Sequence, residues 1–108
     1  MSVRIDMPAG RIGPGKIALL EAIAQEGSIS AAGRALGMSY RRAWDLVDEV
    51  NRVLGTPAVA VAIGGQGGGG SDLTAAGRNL VRDYRAVERA AHRAAAKLLA
   101  GMARRSST

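Results

Sequence analysis

Residues 28–54, SISAAGRALGMSYRRAWDLVDEVNRVL, carry the pattern that decides how this chain folds. The spacing predicts a short helix over residues 29–36, a tight turn at Gly37 and a longer helix over residues 40–54. Ser28 and Ser39 stand where a hydroxyl would cap each helix start. Gly33 falls where the two helices must cross, and Gly37 falls where the turn needs left-handed backbone. Ala32, Leu36, Met38, Ala43 and Leu46 fall on positions that should be buried. An ordinary pair of packed helices is the competing reading, but it does not require both glycines together. The pattern is that of a helix-turn-helix.

Upstream, residues 3–7 alternate Val3, Ile5 and Met7 with Arg4 and Asp6, which suits a short half-buried strand. Residues 8–15 hold two prolines and three glycines and read as a connection. Residues 16–26 place apolar side chains at 17, 19, 20, 23 and 24, a helical stripe that Gly27 is placed to end.

Downstream, Gly55 and Pro57 close the long helix. Residues 58–63 read as a strand with Val59, Val61 and Ile63 on one face and alanines on the other. In residues 64–70 only Gln66 is not glycine. Ser71–Leu73 makes a short return strand, so the glycines occupy the place of a wing. Thr74 opens a last helix reaching to about Ala100, roughly 40 Å at 1.5 Å per residue.

The expected fold is therefore mainly α with a small β wing. A winged helix-turn-helix would occupy residues 1–73, and residues 74–108 would form a long C-terminal dimerisation helix with a short basic tail. Tyr84, Val87, Ala91, Ala94 and Leu98 recur at steps of 3 and 4, the rhythm of a helix pair. Beside them run Arg78, Arg82, Arg85, Arg89, Arg93 and Lys97, either a solvated face or a surface meeting phosphate or a partner.

Composition narrows the function. The 108 residues have net charge +6, no Cys, no Phe, one Trp, two Tyr and a single His. Disulfides, thiolate chemistry and a histidine cage are thereby excluded. The core must come from Ala, Val, Leu and Ile, so a lone subunit should be marginal and gain from pairing. Residues 74–108 hold eight basic and two acidic groups while the rest is balanced, so the surplus charge lies in the last third. No apolar run is long enough to cross a membrane and no secretion signal opens the chain, so a cytoplasmic location is expected.

The start of the second motif helix is the candidate site. Ser39, Tyr40, Arg41 and Arg42 would face the major groove of double-stranded DNA, where arginine can donate two hydrogen bonds to guanine. Two arginines at a helix start oppose the helix dipole, a conflict that an incoming phosphate resolves. Trp44 reads as packing at the edge of the core, with partial contact to a sugar or a thymine methyl as the alternative. Ser28 and the wing residues Gly65, Gln66, Gly67, Gly68 and Ser71 complete the expected DNA-binding set. A nucleotide loop is excluded, because no lysine follows the glycines and no helix begins there. No group of residues converges as acid, base and nucleophile, so neither an enzyme nor a cofactor is expected.

With those residues in place, the chain resembles the N-terminal DNA-binding domain of ModE-type molybdate-responsive regulators. The likeness runs through KIALLEAIAQEGSISAAGRALGMSYRRAWDLVDEVN and GGQGGGGSDLTAAGRNLV. LysR-type regulators are similar over SISAAGRALGMS and less so after Met38. The resemblance implies a homodimer formed through the first and last helices, with Leu20 joining the seam residues. It also implies inverted-repeat sites in promoters of molybdenum-related genes. Gln66 stands where relatives often carry a basic residue. The family's oxyanion-binding domain would follow the long helix, and the chain stops at Thr108. Molybdate sensing is therefore not expected of it, and any signal would come from a separate effector-sensing protein. The alternative is a protein-interaction module of the same fold.

Overall fold

A computed structural model describes residues 2–61 and 70–106. In chain order it holds β1 (Ile5–Met7), β2 (Gly10–Ile12), α1 (Pro14–Glu26), α2 (Ile29–Ala35), α3 (Tyr40–Leu54), β3 (Val59–Val61), β4 (Ser71–Leu73) and α4 (Ala75–Ser106). The expected architecture, three helices with a small β wing and a long last helix, is the one observed.

The helix-turn-helix is set by local chemistry. Ser28 Oγ accepts from the Ala31 amide at 3.0 Å and Ser39 Oγ from the Arg42 amide at 3.1 Å, so each helix start satisfies one orphan donor. Gly37 holds φ +70°, a left-handed conformation that a Cβ would strain. At the crossing, a Cβ on Gly33 would stand 3.4 Å from both the Ala43 methyl and the Met38 carbonyl oxygen. Ala32, Ala43 and Leu46 are buried and Met38 is half-buried against them, as the spacing required. Leu36 is a correction. It follows the last residue of α2, and with the helix finished its side chain turns outward, 41% exposed.

The core gathers Ile12, Ile17, Leu19, Leu20, Ile23, Val47, Val50 and Tyr84, all essentially fully buried. Each aliphatic side chain of this kind stabilises the fold by about 1.5–3 kcal/mol relative to exposure. Tyr84 supplies the largest buried side chain and fastens α4 to the N-terminus, its hydroxyl donating to the Val3 carbonyl at 2.6 Å.

The N-terminal region departs from expectation. Residues 10–12 are not connection but a strand, paired antiparallel to β1 with Ile5 opposite Ile12 and Met7 opposite Gly10. Pro8 and Ala9 make the turn, and Ile12 enters the core. The downstream hairpin pairs Val59 with Leu73 and Val61 with Ser71. Its face pattern also differs: Ala58 and Val59 are buried while Val61 is 49% exposed, so burial is confined to the strand's foot. Ile63 lies outside the described residues.

The foot is held by close packing against α4. Thr74 donates its amide to the Ala58 carbonyl at 2.9 Å and its hydroxyl to the Pro57 carbonyl at 2.7 Å, while accepting from the Gly77 amide at 3.1 Å. A Cβ on Gly77 would stand 2.2 Å from the Ala58 oxygen, so only glycine lets α4 approach this closely. The Asn51 side chain accepts from the Ala58 amide at 2.8 Å and ties the same strand to α3. Among the described residues no helix is long and apolar enough to cross a membrane.

Candidate nucleic-acid interface

α3 is divided lengthwise. Ala43, Leu46, Val47 and Val50 face the core, while Arg41, Asp45, Asp48 and Arg52 are exposed. At its start the exposed face is unobstructed: Tyr40 is 59% exposed and Arg41 and Arg42 stand in solvent. The first turn carries no acid, so two guanidinium groups sit at the positive end of the helix dipole. Neither guanidinium makes an ion pair among the described residues. Unspent donors of fixed fork geometry are what a base edge or a phosphate oxygen accepts.

Trp44 is half-buried against the core, and its ring meets that of Tyr40 edge-on, with centroids 6.3 Å apart and planes at 83°. The indole thus props the exposed phenol and restricts the directions its hydroxyl can reach. Two aromatics at i and i+4 on a helix signal such a contact, one not anticipated from the sequence.

The other expected site residues divide three ways. Ser28 is half-buried with its oxygen engaged as the α2 cap, which leaves its own O–H as a donor. Ser71 opens β4, and its amide donates to the Gly27 carbonyl at 2.8 Å, fixing the wing base on the turn before α2. Gly65, Gln66, Gly67 and Gly68 lie outside the described residues.

The seam expected along α4 is corrected at its inner end. Leu20 is fully buried within its own protomer and Tyr84 is 1% exposed, so neither is available to a second chain. Helical spacing marks one face of α4 but does not say where that face leaves the protomer. It leaves at Val87, which is 46% exposed. Leu98, Leu99 and Met102 follow at 69%, 62% and 54%. Because α4 runs on to Ser106, about 48 Å in all, the face extends further than expected.

The basic ridge is likewise partly consumed. Arg78 donates to the Leu73 carbonyl at 2.7 Å, and Arg82 pairs with Asp83. Arg85 forks between Glu21 of α1 and Glu88, at 2.5 and 2.7 Å. Those bonds, to Glu21 first and Glu88 second, raise its pKa further above an already high value, so this charge is permanent. Arg89, Arg93 and Lys97 are exposed.

Comparison with known proteins gives the arrangement a family. The model for bacterial regulatory helix-turn-helix proteins, lysR family, matches residues 15–78. This chain belongs to that family. Its curated relatives include the molybdenum-pterin-binding protein MopB of Rhodobacter capsulatus, 46% identical over 86 residues that make 80% of this chain and 32% of the relative. The molybdenum transport protein ModE of Azotobacter vinelandii is 47% identical over 73 residues, 68% and 27% of the two chains. The DNA-binding transcriptional dual regulator ModE of Escherichia coli K12 is 44% identical over 71 residues, 66% and 27%. The chain thus spans about a quarter to a third of the length of the relatives it matches, and the likeness to ModE-type regulators is to their helix-turn-helix part. Among solved structures, the CbnR_DBD–DNA complex aligns with TM-score 0.60 at 23% identity, over 81% of this chain and 94% of that one. That alignment agrees in fold with a winged helix-turn-helix.

One feature of this LysR-family chain had no sequence signal. Arg42 borders a cavity of about 320 Å³ whose walls also include Arg4, Arg11, Lys16 and Glu49. Residue 42 is remote in sequence from residues 4 and 11, and the N-terminal hairpin brings the three together. Among the described residues no cluster of His, Cys, Asp and Glu is arranged to hold a metal.

Proposed function

We propose that this chain is a sequence-specific double-stranded DNA-binding transcriptional regulator of molybdenum-related genes, acting as a homodimer. The observation that carries the reading is the open start of α3, where Tyr40, Arg41 and Arg42 project into solvent from a helix whose other face is locked in the core. Arg41 and Arg42 donate to base edges or flanking phosphates, and Ser39 and Tyr40 supply hydroxyls beside them. Ser28 donates to the phosphate backbone. The wing, with Gly65, Gln66, Gly67, Gly68 and Ser71, lies along a sugar-phosphate wall where side chains would hinder approach.

Pairing rests on the outer half of α4. Val87, Ala91, Ala94 and Leu98, joined by Leu99 and Met102, form an apolar face with too little of its own protomer to cover it. Two recognition helices would then enter successive major grooves, roughly 34 Å apart, on a near-palindromic site. The molybdenum connection comes from the names of the relatives, MopB and ModE. Residues 1–73 serve as the DNA-binding unit and residues 74–108 as the pairing unit.

Selection of bound sequences from random DNA, with and without molybdate, tests the reading. An inverted repeat is expected. On that sequence Arg41→Ala or Arg42→Ala should weaken binding by about 1–3 kcal/mol where the arginine reads a base. Recovery of no motif, or parent-like binding by both variants, would reject it. The exposed Leu98, Leu99 and Met102 also suit a protein-interaction module. That reading predicts weak DNA binding of shallow salt dependence and ready loss to competitor DNA.

A further inference from the structure

We infer that the cavity between the N-terminal hairpin, the start of α1 and the start of α3 receives a phosphate group of the DNA backbone, making the hairpin a second anchor beside the recognition helix. The inference rests on the DNA-binding reading above and adds residues that reading does not use.

Four cations from four parts of the chain line this space: Arg4 ahead of β1, Arg11 of β2, Lys16 of α1 and Arg42 of α3. One acid, Glu49, lines it with them, 3.5 Å from Lys16 Nζ, and Lys16 also donates to the Arg11 carbonyl at 2.6 Å. Arg11 uses only Nε on Asp6, at 2.6 Å, in a pair largely exposed on both sides, so both of its terminal nitrogens remain donors. Arg4 and Arg42 have no ion pair among the described residues. The cluster therefore keeps a surplus of about two positive charges where like charges repel, which costs free energy unless an anion enters.

The shape suits a bare phosphate. Gly13 leaves room for the Arg4 stem, since a Cβ there would stand 3.3 Å from Arg4 Cγ. Leu46 and Pro14 are its apolar walls and no aromatic ring lines it, so a nucleobase would find no face to stack on. α1 begins here without a side-chain cap or an acid in its first turn, which adds to the positive potential that the arginines create. Position decides the source of the phosphate. Arg42 belongs both to the cavity and to the exposed turn of α3, so a helix start placed in a major groove brings the cavity alongside the groove's phosphate wall.

The test uses Arg4→Gln, Arg11→Gln and the double variant in the full chain, on a duplex recovered by selection and on a mixed-sequence duplex. Both residues are exposed, and circular dichroism melting checks that the variants fold. A phosphate contact predicts that the slope of log affinity against log salt becomes shallower by about 0.9 per arginine lost. The parent then loses about twelvefold more affinity than the double variant across a fourfold rise in salt. Both duplexes should weaken equally, leaving the sequence preference intact. Unchanged slopes in folded variants, with the parent still selecting a motif, would overturn the inference while leaving the regulator reading standing. Saturable binding of inorganic phosphate to the parent, with unchanged DNA slopes, would also overturn it, because the cavity would then serve a free ion. Failure of the parent to select any motif would instead remove the reading beneath it.

Discussion

Two helix starts in this molecule use the same local device to opposite ends. α3 opens on Ser39, whose hydroxyl accepts from the amide three residues on at 3.1 Å, and α4 opens behind Thr74 with the same bond at the same distance. Beyond the caps they part. The start of α3 exposes a tyrosine and two arginines, while the start of α4 is sealed against Ala58, with Gly77 buried and the Thr74 hydroxyl bonded onward to Pro57. A cap fixes where a helix begins and leaves open what that end faces. The environment decides, and here it leaves one end open to solvent and makes the other a joint.

The joint should be the more fragile of the two. In Gly77→Ala the new methyl meets a backbone carbonyl that is itself held by the Thr74 amide, so strand or helix must shift. Overpacking of that severity costs about 3 kcal/mol, offset by about 1 kcal/mol of improved helix propensity. A net loss of about 2 kcal/mol should lower the melting temperature by roughly 8–16 °C. A variant melting like the parent would show that the joint is loose and the contrast unfounded. Removing each cap sharpens the same comparison. Thr74→Ala forfeits two hydrogen bonds in a packed setting and should cost about 1.5–2 kcal/mol, against about 1 kcal/mol for Ser39→Ala at an exposed end. Urea denaturation of both variants measures the difference, and equal losses would mean that the two starts are energetically alike.

What could be read in advance was whatever is encoded locally. The α2–turn–α3 unit was legible because its caps, its crossing glycine and its left-handed Gly37 each depend on a few adjacent residues. β2 was hidden because the proline and glycines around it signal a loop, while its pairing with β1 needs only the two-residue turn at Pro8 and Ala9. Tyr84 was assigned to a partner because periodicity marks an apolar face without saying which protein covers it, and Leu20 because the family resemblance implied pairing through the first helix. Their burial depends on contacts from across the chain, such as the bond from Tyr84 to Val3. The exposed start of α3 was legible, yet the approach of Arg4 and Arg11 to it was not, since a charge cluster assembled by topology leaves no spacing in the sequence.

Tyr84 offers the finest probe of the sealed side, because it ties α4 to the N-terminus. Burial chiefly, and Glu88 secondarily, push the pKa of its phenol above 10.0, against smaller opposing effects of Arg85 and Arg4. The folded state therefore holds this proton more tightly than the unfolded chain. The resulting stability is fully present below pH 10 and is lost as pH rises through the raised folded value, because unfolding then releases a proton. Tyr84→Phe should lose about 0.5–1 kcal/mol at neutral pH, from the bond to Val3, and that deficit should shrink above pH 10 as the parent weakens. Urea denaturation of parent and variant across this range measures the gap directly. A gap that stays constant or widens with pH would mean that the phenol is not held neutral inside the joint, and that the difference between the two helix starts does not extend along α4 to residue 84.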